Sequence, residues 1–318
     1  MKVLVTGAAG FIGSQLAEGL LAAGHEVVGI DNFNGYYDRK LKERNAASVR
    51  ASGGVVLEID LAQDDLAGCL KNVAVVFHAA AQPGLSPGTS EGDYQRNNVV
   101  ATQRLLEACK AADSLEMLFY LSTSSVYGRT ATRDEEAEPR PTSNYGRSKL
   151  EAERAVLAAA SSGDLSACAL RIFSVYGPRE RPEKLFPLLI HSLEDGQPFP
   201  LFEGSLKHER SFTYVGDIVE GLLAALEHRA RLCGEVINLG AESSVTTAEG
   251  IGIVEDLMGR KARFEALPPR AGDQLKTAAQ IDKARRLLGY APQTALRDGL
   301  KSEVRWFTSR SAAPPLRS

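Results

Sequence analysis

Residues 7–13, Gly-Ala-Ala-Gly-Phe-Ile-Gly, constrain this chain more than any other stretch. They follow a short apolar run, Val3–Thr6, and open a segment from Phe11 to Ala23 that carries Ile12, Leu16 and Leu20 on one helical face. A strand, a turn with glycines three apart and a helix leave the backbone few alternatives. Gly7 suits a tight turn, Gly10 a close approach of backbone to ligand, and Gly13 the packing of helix on strand. The free N–H groups of such a helix start, around Phe11 and Ile12, carry partial positive charge and attract phosphate.

Further apolar runs, Val27–Ile30, Val55–Ile59, Ala74–His78, Met117–Ser122 and Ala167–Ile172, read as strands. Helical patterns at Asn98–Lys110, with Leu105 and Leu106 turned inward, and at Ser143–Ala160 alternate with them. Repeated β-α-β order implies an α/β fold: a Rossmann-type doubly wound parallel sheet with helices on both faces. Prolines 178, 182, 187, 198 and 200 then punctuate short segments up to Arg210, and another Pro/Gly-rich stretch spans Pro268 to Gly272. Tyr214 to Leu226 and Glu235 to Asn238 look like a return to the sheet. The expected division is a dinucleotide-binding domain over 1–176 with returning segments at about 211–240. A smaller, interleaved C-terminal substrate-binding lobe lies mainly within 177–318. Ligands of open parallel sheets bind at the carboxyl ends of the strands, so this lobe should close over that edge.

Asp31 ends the second run, about twenty residues after the glycine turn, and Asn32 follows it. A carboxylate there accepts hydrogen bonds from ribose hydroxyls and repels a 2′-phosphate, which favours NAD over NADP. Asp60, with Leu61 beside it, ends the third run and can accept from the adenine amino group.

Tyr145 and Lys149 stand at i and i+4, one turn apart on one helix face. A free phenol, with a pKa of about 10, is a poor base at neutral pH, and a nearby ammonium lowers that value. Lys149 and the charge of a bound nicotinamide are the two candidate sources. Ser122-Thr123-Ser124-Ser125, at the end of the fifth run, can donate hydrogen bonds to a substrate oxygen whose charge changes during hydride transfer.

Composition removes other classes. The net charge is −3 and no basic block occurs, so no nucleic-acid partner is expected. The longest apolar run falls short of the ~18 residues of a spanning helix, so no membrane partner is expected either. Cys69, Cys109, Cys168 and Cys233 never reach C-x-x-C spacing, so neither a metal site nor a disulfide framework is indicated, and a reducing cytoplasm fits. The tail from Ser309 to Ser318 is expected to be loose.

With these residues in place, the chain resembles an extended short-chain dehydrogenase/reductase of the NAD-dependent sugar epimerase/dehydratase family. The resemblance covers roughly residues 1 to 306. It rests on the glycine triplet, Tyr145 and Lys149, His78-Ala79-Ala80-Ala81, Asn98 opening its helix, Arg171 to Pro178, Arg210 to Asp217, and Leu288-Gly289-Tyr290. Within the family, Asp31 to Asp38 is similar to the matching segment of UDP-glucuronate 4-epimerases. So are Ala80-Ala81-Gln82-Pro83-Gly84, Gly177-Pro178-Arg179-Glu180-Arg181-Pro182 and Pro269-Arg270-Ala271-Gly272-Asp273.

The resemblance implies site residues. Thr123, Tyr145 and Lys149 would be catalytic. Gly7, Gly10, Phe11, Ile12, Gly13, Asp31, Asn32, Asp60, Leu61, Ala79, Ala80, Ala81, Asn98 and Phe173 would hold NAD, with Tyr145 and Lys149. Gln82, Pro83, Thr123, Ser124, Ser125, Ser174, Arg181, Arg210, Arg270 and Asp273 would hold a UDP-sugar. Arg210 and Arg270 suit the diphosphate, since Arg makes paired contacts to phosphate oxygens. Arg181 suits a sugar carboxylate or a group near it, with Arg179 too close in sequence to set aside.

Dehydratases of the family carry Asp-Glu where this chain has Ser124-Ser125, and decarboxylases carry a Glu at Ser125. The missing acids point to epimerisation at carbon 4 of a UDP-sugar, UDP-glucuronate to UDP-galacturonate. One departure stands out: at Gly84-Leu85-Ser86 related 4-epimerases often have an Arg after the glycine. Three alternatives remain: a 4-epimerase of neutral UDP-hexoses, a dehydratase, reductase or decarboxylase, and a non-enzymatic NAD-binding module. Relatives commonly pair through a four-helix bundle, so a homodimer is implied, with Asn98–Lys110 and Ser143–Ala160 as the candidate face.

Overall fold

The computed structural model describes residues 1–84, 88–270 and 272–311. Seven parallel strands form the central sheet. In space β3 (Val55–Glu58), β2 (Glu26–Asp31), β1 (Lys2–Thr6), β4 (Val75–His78) and β5 (Met117–Thr123) run in that order, followed by Ala167–Ile172 and Val236–Leu239. Side chains along a strand alternate between faces, so these apolar runs build two cores at once. Val3, Val5, Phe77 and Phe119 enter one; Leu4, Val76, Leu118 and Tyr120 enter the other. The strand order turns back at β1, which has β2 on one side and β4 on the other. A crevice opens at the carboxyl ends of strands flanking such a point.

The helix α1 (Phe11–Ala22) starts at Gly10 with no side chain bonded to its first N–H groups. A second helix, α2 (Arg39–Ala51), joins β2 to β3; its apolar stripe is too thin to stand out in the sequence. Asp38 caps it, accepting from the Lys40 N–H at 2.9 Å. The stretch from Tyr214 to Leu226 does not rejoin the central sheet: Thr213–Tyr214 pairs with Val175–Tyr176 in a separate two-stranded sheet, and Val215–Glu227 is a helix that packs on α1 where Gly19 faces Val219.

One expected helix starts earlier than its sequence pattern indicates. Helical structure begins at Glu91, not Asn98, because Ser90 and Asp93 form a reciprocal cap. Gln95–Val100 then runs as a wider π-helical turn before Ala101–Lys110 continues as α-helix. Asn98 therefore lies inside the element rather than opening it.

A third core holds Tyr176, Phe186, Leu189, Ile190, Phe199, Ile251, Val254, Leu300 and Phe307. It joins the helices Leu185–Asp195, Thr247–Met258 and Leu296–Ser311. Beside it, a four-stranded sheet runs in the order Val245–Thr246, Glu209–Arg210, Lys276–Thr277, Thr130–Ala131, so a segment of the first half is woven into this second unit. The last helix takes in Ser309 to Ser311 of the tail expected to be loose; the tail beyond it lies outside the described residues, as do Leu85, Ser86 and Ala271. Among the described residues, no helix is long and apolar enough to cross a membrane.

Candidate active site

A cleft of about 440 Å³ runs along the carboxyl ends of the strands and under the second unit. Its first half is the glycine turn. Gly7 has φ 69°, and a Cβ there would lie 2.9 Å from the Ala80 backbone. A Cβ on Gly13 would lie 2.2 Å from the Gly7 carbonyl oxygen. Glycine is thus required by the geometry, and the turn is drawn in against strand and helix. Asn45 on α2 locks it from outside, donating to the Ala9 carbonyl at 3.0 Å.

Asp31 faces the same space. Backbone N–H groups of Ala9 and Phe33 donate to its two carboxylate oxygens at 3.1 and 2.9 Å, which fix its orientation. Burial pushes its pKa up, against the opposing pull of Lys42. Lys42 lines the cleft too, held to Asn34 through its carbonyl at 2.9 Å and its side chain at 2.6 Å. Asp60 is tied to Arg96 at 2.8 Å and to the Ala62 N–H at 2.9 Å. These features fit a dinucleotide: bare helix N–H groups at a glycine turn, and a fixed carboxylate at the end of β2.

Tyr145 and Lys149 lie in the first turns of the helix Asn144–Ser161, which Ser143 caps by accepting from the Gly146 N–H at 3.1 Å. The Tyr145 phenol and the Thr123 hydroxyl at the end of β5 line the same cleft, with Thr123 close enough to act on the phenol's titration. Burial raises the phenol's pKa, and the Thr123 hydroxyl and the Arg181 charge work the other way. Arg181 is thus a cation acting on the phenol beyond the two that the sequence offered, Lys149 and a bound nicotinamide. The Lys149 ammonium instead donates to the Leu121 carbonyl at 2.7 Å and lies 4.1 Å from the centre of the Tyr120 ring. Burial lowers Lys149 to about 7, with Glu153 opposing that shift. Glu153 is itself held by Arg171 at 2.7 Å and by the Ser122 hydroxyl at 2.5 Å, so Ser122 faces the interior network.

The loop after β4 crosses the cleft between the two halves. Gly84 packs against the Tyr145 ring: a Cβ there would come within 2.4 Å of it. Two side chains hold the loop from behind. Asn98 accepts from the Gln82 N–H at 2.7 Å and donates to the Gln82 carbonyl at 3.2 Å and to Ser148 at 2.9 Å. His78 bridges Thr6 at 2.7 Å and Thr102 at 2.9 Å, while the Ala80 N–H donates to Thr6 at 3.0 Å. Thr102 donates its own proton to the Asn98 carbonyl, so His78 must carry its proton on Nε2. Burial lowers its pKa to about 3, and it acts as a neutral strut.

The sequence pattern of the NAD dependent epimerase/dehydratase family matches residues 3–240. The chain belongs to this family. It is similar to YtcB of Bacillus subtilis (strain 168), an uncharacterized UDP-glucose epimerase, with 39% identity over 97% of this chain and 98% of that protein. UDP-glucuronate 4-epimerase 2 of Arabidopsis thaliana is 35% identical over 96% of this chain and 76% of its own. The crystal structure of UDP-glucuronic acid 4-epimerase from Bacillus cereus, in complex with UDP-glucuronic acid and NAD, superposes with a TM-score of 0.93. It is 38% identical and covers 98% of this chain and all of its own.

Against this family background, the cleft collects most of the residues singled out in the sequence. Gly7, Gly10, Phe11, Ile12, Gly13, Asp31, Asn32, Asp60, Leu61, Ala79, Ala80, Ala81 and Phe173 line it with Thr123, Tyr145 and Lys149. Pro83, Ser124, Ser125, Ser174, Arg181, Arg210, Arg270 and Asp273 line it as well. Asn98 and Gln82 do not; Asn98 holds the loop from behind through the Gln82 backbone. Arg179 turns away, to Glu18 at 2.9 Å and Ser14 at 3.2 Å, which leaves Arg181 as the one of the two that faces the cleft. Arg270 grips Asp273 at 2.8 Å, and Arg181 lies 2.7 Å from Glu183. Sequence reasoning missed Lys42 and Asn45, the cleft-lining Glu180 and Lys184, and Gln274, whose amide donates to the Ser124 and Gly128 carbonyls at 3.2 and 2.9 Å. The Asp38 cap could have revealed the helix of the first two. The other three depend on which distant segments meet.

Proposed function

We propose that this chain is an NAD-dependent epimerase that inverts carbon 4 of a UDP-sugar, interconverting UDP-glucuronate and UDP-galacturonate through a transient 4-keto sugar. One observation carries the reading: Tyr145 lines the cleft together with Thr123, Ser124 and Ser125, hydroxyls where a dehydratase or decarboxylase would place an acid. An acid there would serve loss of water; hydroxyls leave only proton transfer at one carbinol. The named UDP-glucuronate 4-epimerases among its relatives support the choice of sugar.

The glycine turn, Asp31 and the loop at 79–81 would hold NAD, which supplies an acceptor and donor for the hydrogen on carbon 4. Tyr145 takes the proton of the 4-hydroxyl and later returns it. Between the two transfers the 4-keto sugar turns about its diphosphate link to present its other face, and Thr123 holds the same oxygen before and after that turn. Arg181 steadies the phenolate, and Gly84 leaves room for the phenol ring. Arg210 and Arg270 bind the diphosphate.

A specific observation favours a second reading, a 4-epimerase of neutral UDP-hexoses. Arg181, the candidate for the sugar carboxylate, is already 2.7 Å from Glu183. Incubation with UDP-glucuronate, UDP-glucose and UDP-N-acetylglucosamine, with products resolved by NMR, decides between the two. Inversion of UDP-glucuronate alone upholds the first reading, and a preference for the neutral sugars replaces it with the second. Assembly as a cytoplasmic homodimer belongs to the same proposal. The exposed Val100 on the candidate pairing helix and four free thiols support it.

A further inference from the structure

Glu180 and Lys184 line the cleft four residues apart, Glu180 in the loop after Val175–Tyr176 and Lys184 at the start of the helix Leu185–Asp195. Behind Glu180 stands Glu303, brought in by the helix Leu296–Ser311. Glu180 is 8% exposed and Glu303 fully buried. One Glu180 oxygen and both Glu303 oxygens lie buried without a hydrogen-bond partner, and the two carboxyls act directly on each other's titration. Neighbouring buried carboxyls do not both ionise, and one proton shared between them satisfies oxygens that otherwise lack a partner.

The surroundings agree. Glu180 is faced by Lys184, Arg181, Glu183 and Glu303, and Lys184 by Arg181, Glu180, Glu183 and Arg270. Tyr176 is the other titratable group against Glu303. Burial raises Glu180 to about 7 and Glu303 well above the carboxylate range, so the pair keeps at least one proton at neutral pH. A Glu four residues before a Lys ordinarily forms an ion pair. Here Arg181 and Arg270 are paired with Glu183 and Asp273, while Lys184 makes no ion pair among the described residues.

We propose that Lys184 binds an anionic group of the nucleotide-sugar, its diphosphate or a sugar carboxylate, and that Glu303 keeps Glu180 from neutralising this cation by sharing a proton with it. The inference rests on the nucleotide-sugar reading of the cleft and goes beyond it. Lys184 is a binding residue; Glu180 and Glu303 act through it. Burial and Arg181 hold the Lys184 ammonium down at about 8, so an arriving anion restores its full charge and takes up a proton near that pH.

The test is calorimetric titration of the NAD-loaded protein with UDP, UDP-glucose and UDP-glucuronate. Lys184→Met is expected to weaken binding about tenfold or more, the worth of one charged hydrogen bond. Loss confined to UDP-glucuronate assigns Lys184 to the carboxylate; loss across all three ligands assigns it to the diphosphate. Glu303→Gln, whose amide can donate to an ionised Glu180, should weaken the same ligands. Glu180→Gln, locked neutral, should bind at least as tightly as the unaltered protein. Equal effects of the two Gln variants would reduce the acid pair to a structural role and overturn the proton-sharing claim.

If Glu303→Gln does not fold, proton uptake on binding at pH 8 replaces it: uptake by the unaltered protein and none by Lys184→Met. Unchanged affinity in Lys184→Met sinks the inference and leaves the proposed function standing. If the unaltered protein binds none of the three ligands, both fall.

Discussion

Replacing Gly13 by Ala tests whether the third glycine of the turn serves helix-on-strand contact. The added Cβ would stand 2.2 Å from the Gly7 carbonyl oxygen, 2.8 Å from its carbon and 3.3 Å from the Ala8 Cα. Ordinary contact begins at 3.4 Å, so turn and helix must part by about 1.2 Å. The Gly7 oxygen cannot swing aside freely, because it accepts from the Gly10 N–H at 2.9 Å. Overpacking of this kind costs about 1–3 kcal/mol, and the better helix propensity of Ala returns at most ~1. With that return the net loss is ~0–2 kcal/mol, which should lower the melting temperature by at most ~6 °C. Displacing the phosphate turn should weaken NAD binding by at least ~10-fold, equivalent to about 1.4 kcal/mol.

The assay is a thermal melt combined with a fluorescence titration of NADH. Gly252, in the helix Thr247–Met258, is the control: a Cβ there meets nothing within 4 Å. Gly252→Ala should stabilise by about 0.5–1 kcal/mol and leave NAD binding unchanged. If Gly13→Ala melted and bound NADH like the unaltered protein, the steric account of this turn would be refuted.

Tyr145→Phe should cut turnover by roughly 10²–10⁴-fold, with NAD still bound; near-normal kcat would remove the phenol from the chemistry. Asp31→Asn should narrow the preference for NAD over NADP by roughly ten- to a hundredfold, read from the two dissociation constants, since it removes the charge that the Ala9 and Phe33 N–H groups orient. Lys149 has a folded pKa of about 7 against an ordinary 10.5, so between these values the unfolded chain binds the extra proton and stability rises with pH. Lys149→Met should flatten that rise in melts between pH 7 and 10; an unchanged slope would show that the ammonium is not desolvated.

Local patterns were legible because the forces behind them are local. The glycine spacing, the alternation of Val3, Leu4 and Val5, and the i,i+4 placement of Tyr145 and Lys149 require only chain geometry. The same holds for Asp31 at the end of β2. Helix α2 escaped notice because it buries Lys42 and Asn45 alongside only Ala46 and Val49, too weak a stripe for periodicity. The start at Glu91 was readable in Ser90 and Asp93, a capping signature that the apolar pattern from Asn98 onward obscured.

The amino-acid order by itself thus determined the parallel α/β scaffold, the phosphate turn and the two residues of the proton-transfer helix. Only the tertiary structure decided their electrostatics. It turned Lys149 to the Leu121 carbonyl, set Arg181 near the phenol, laid Gly84 on the Tyr145 ring and pressed Glu303 against Glu180. The physical reason is that desolvation and charge pairing depend on distances between segments far apart in the chain, and those distances exist only once the two units have packed together.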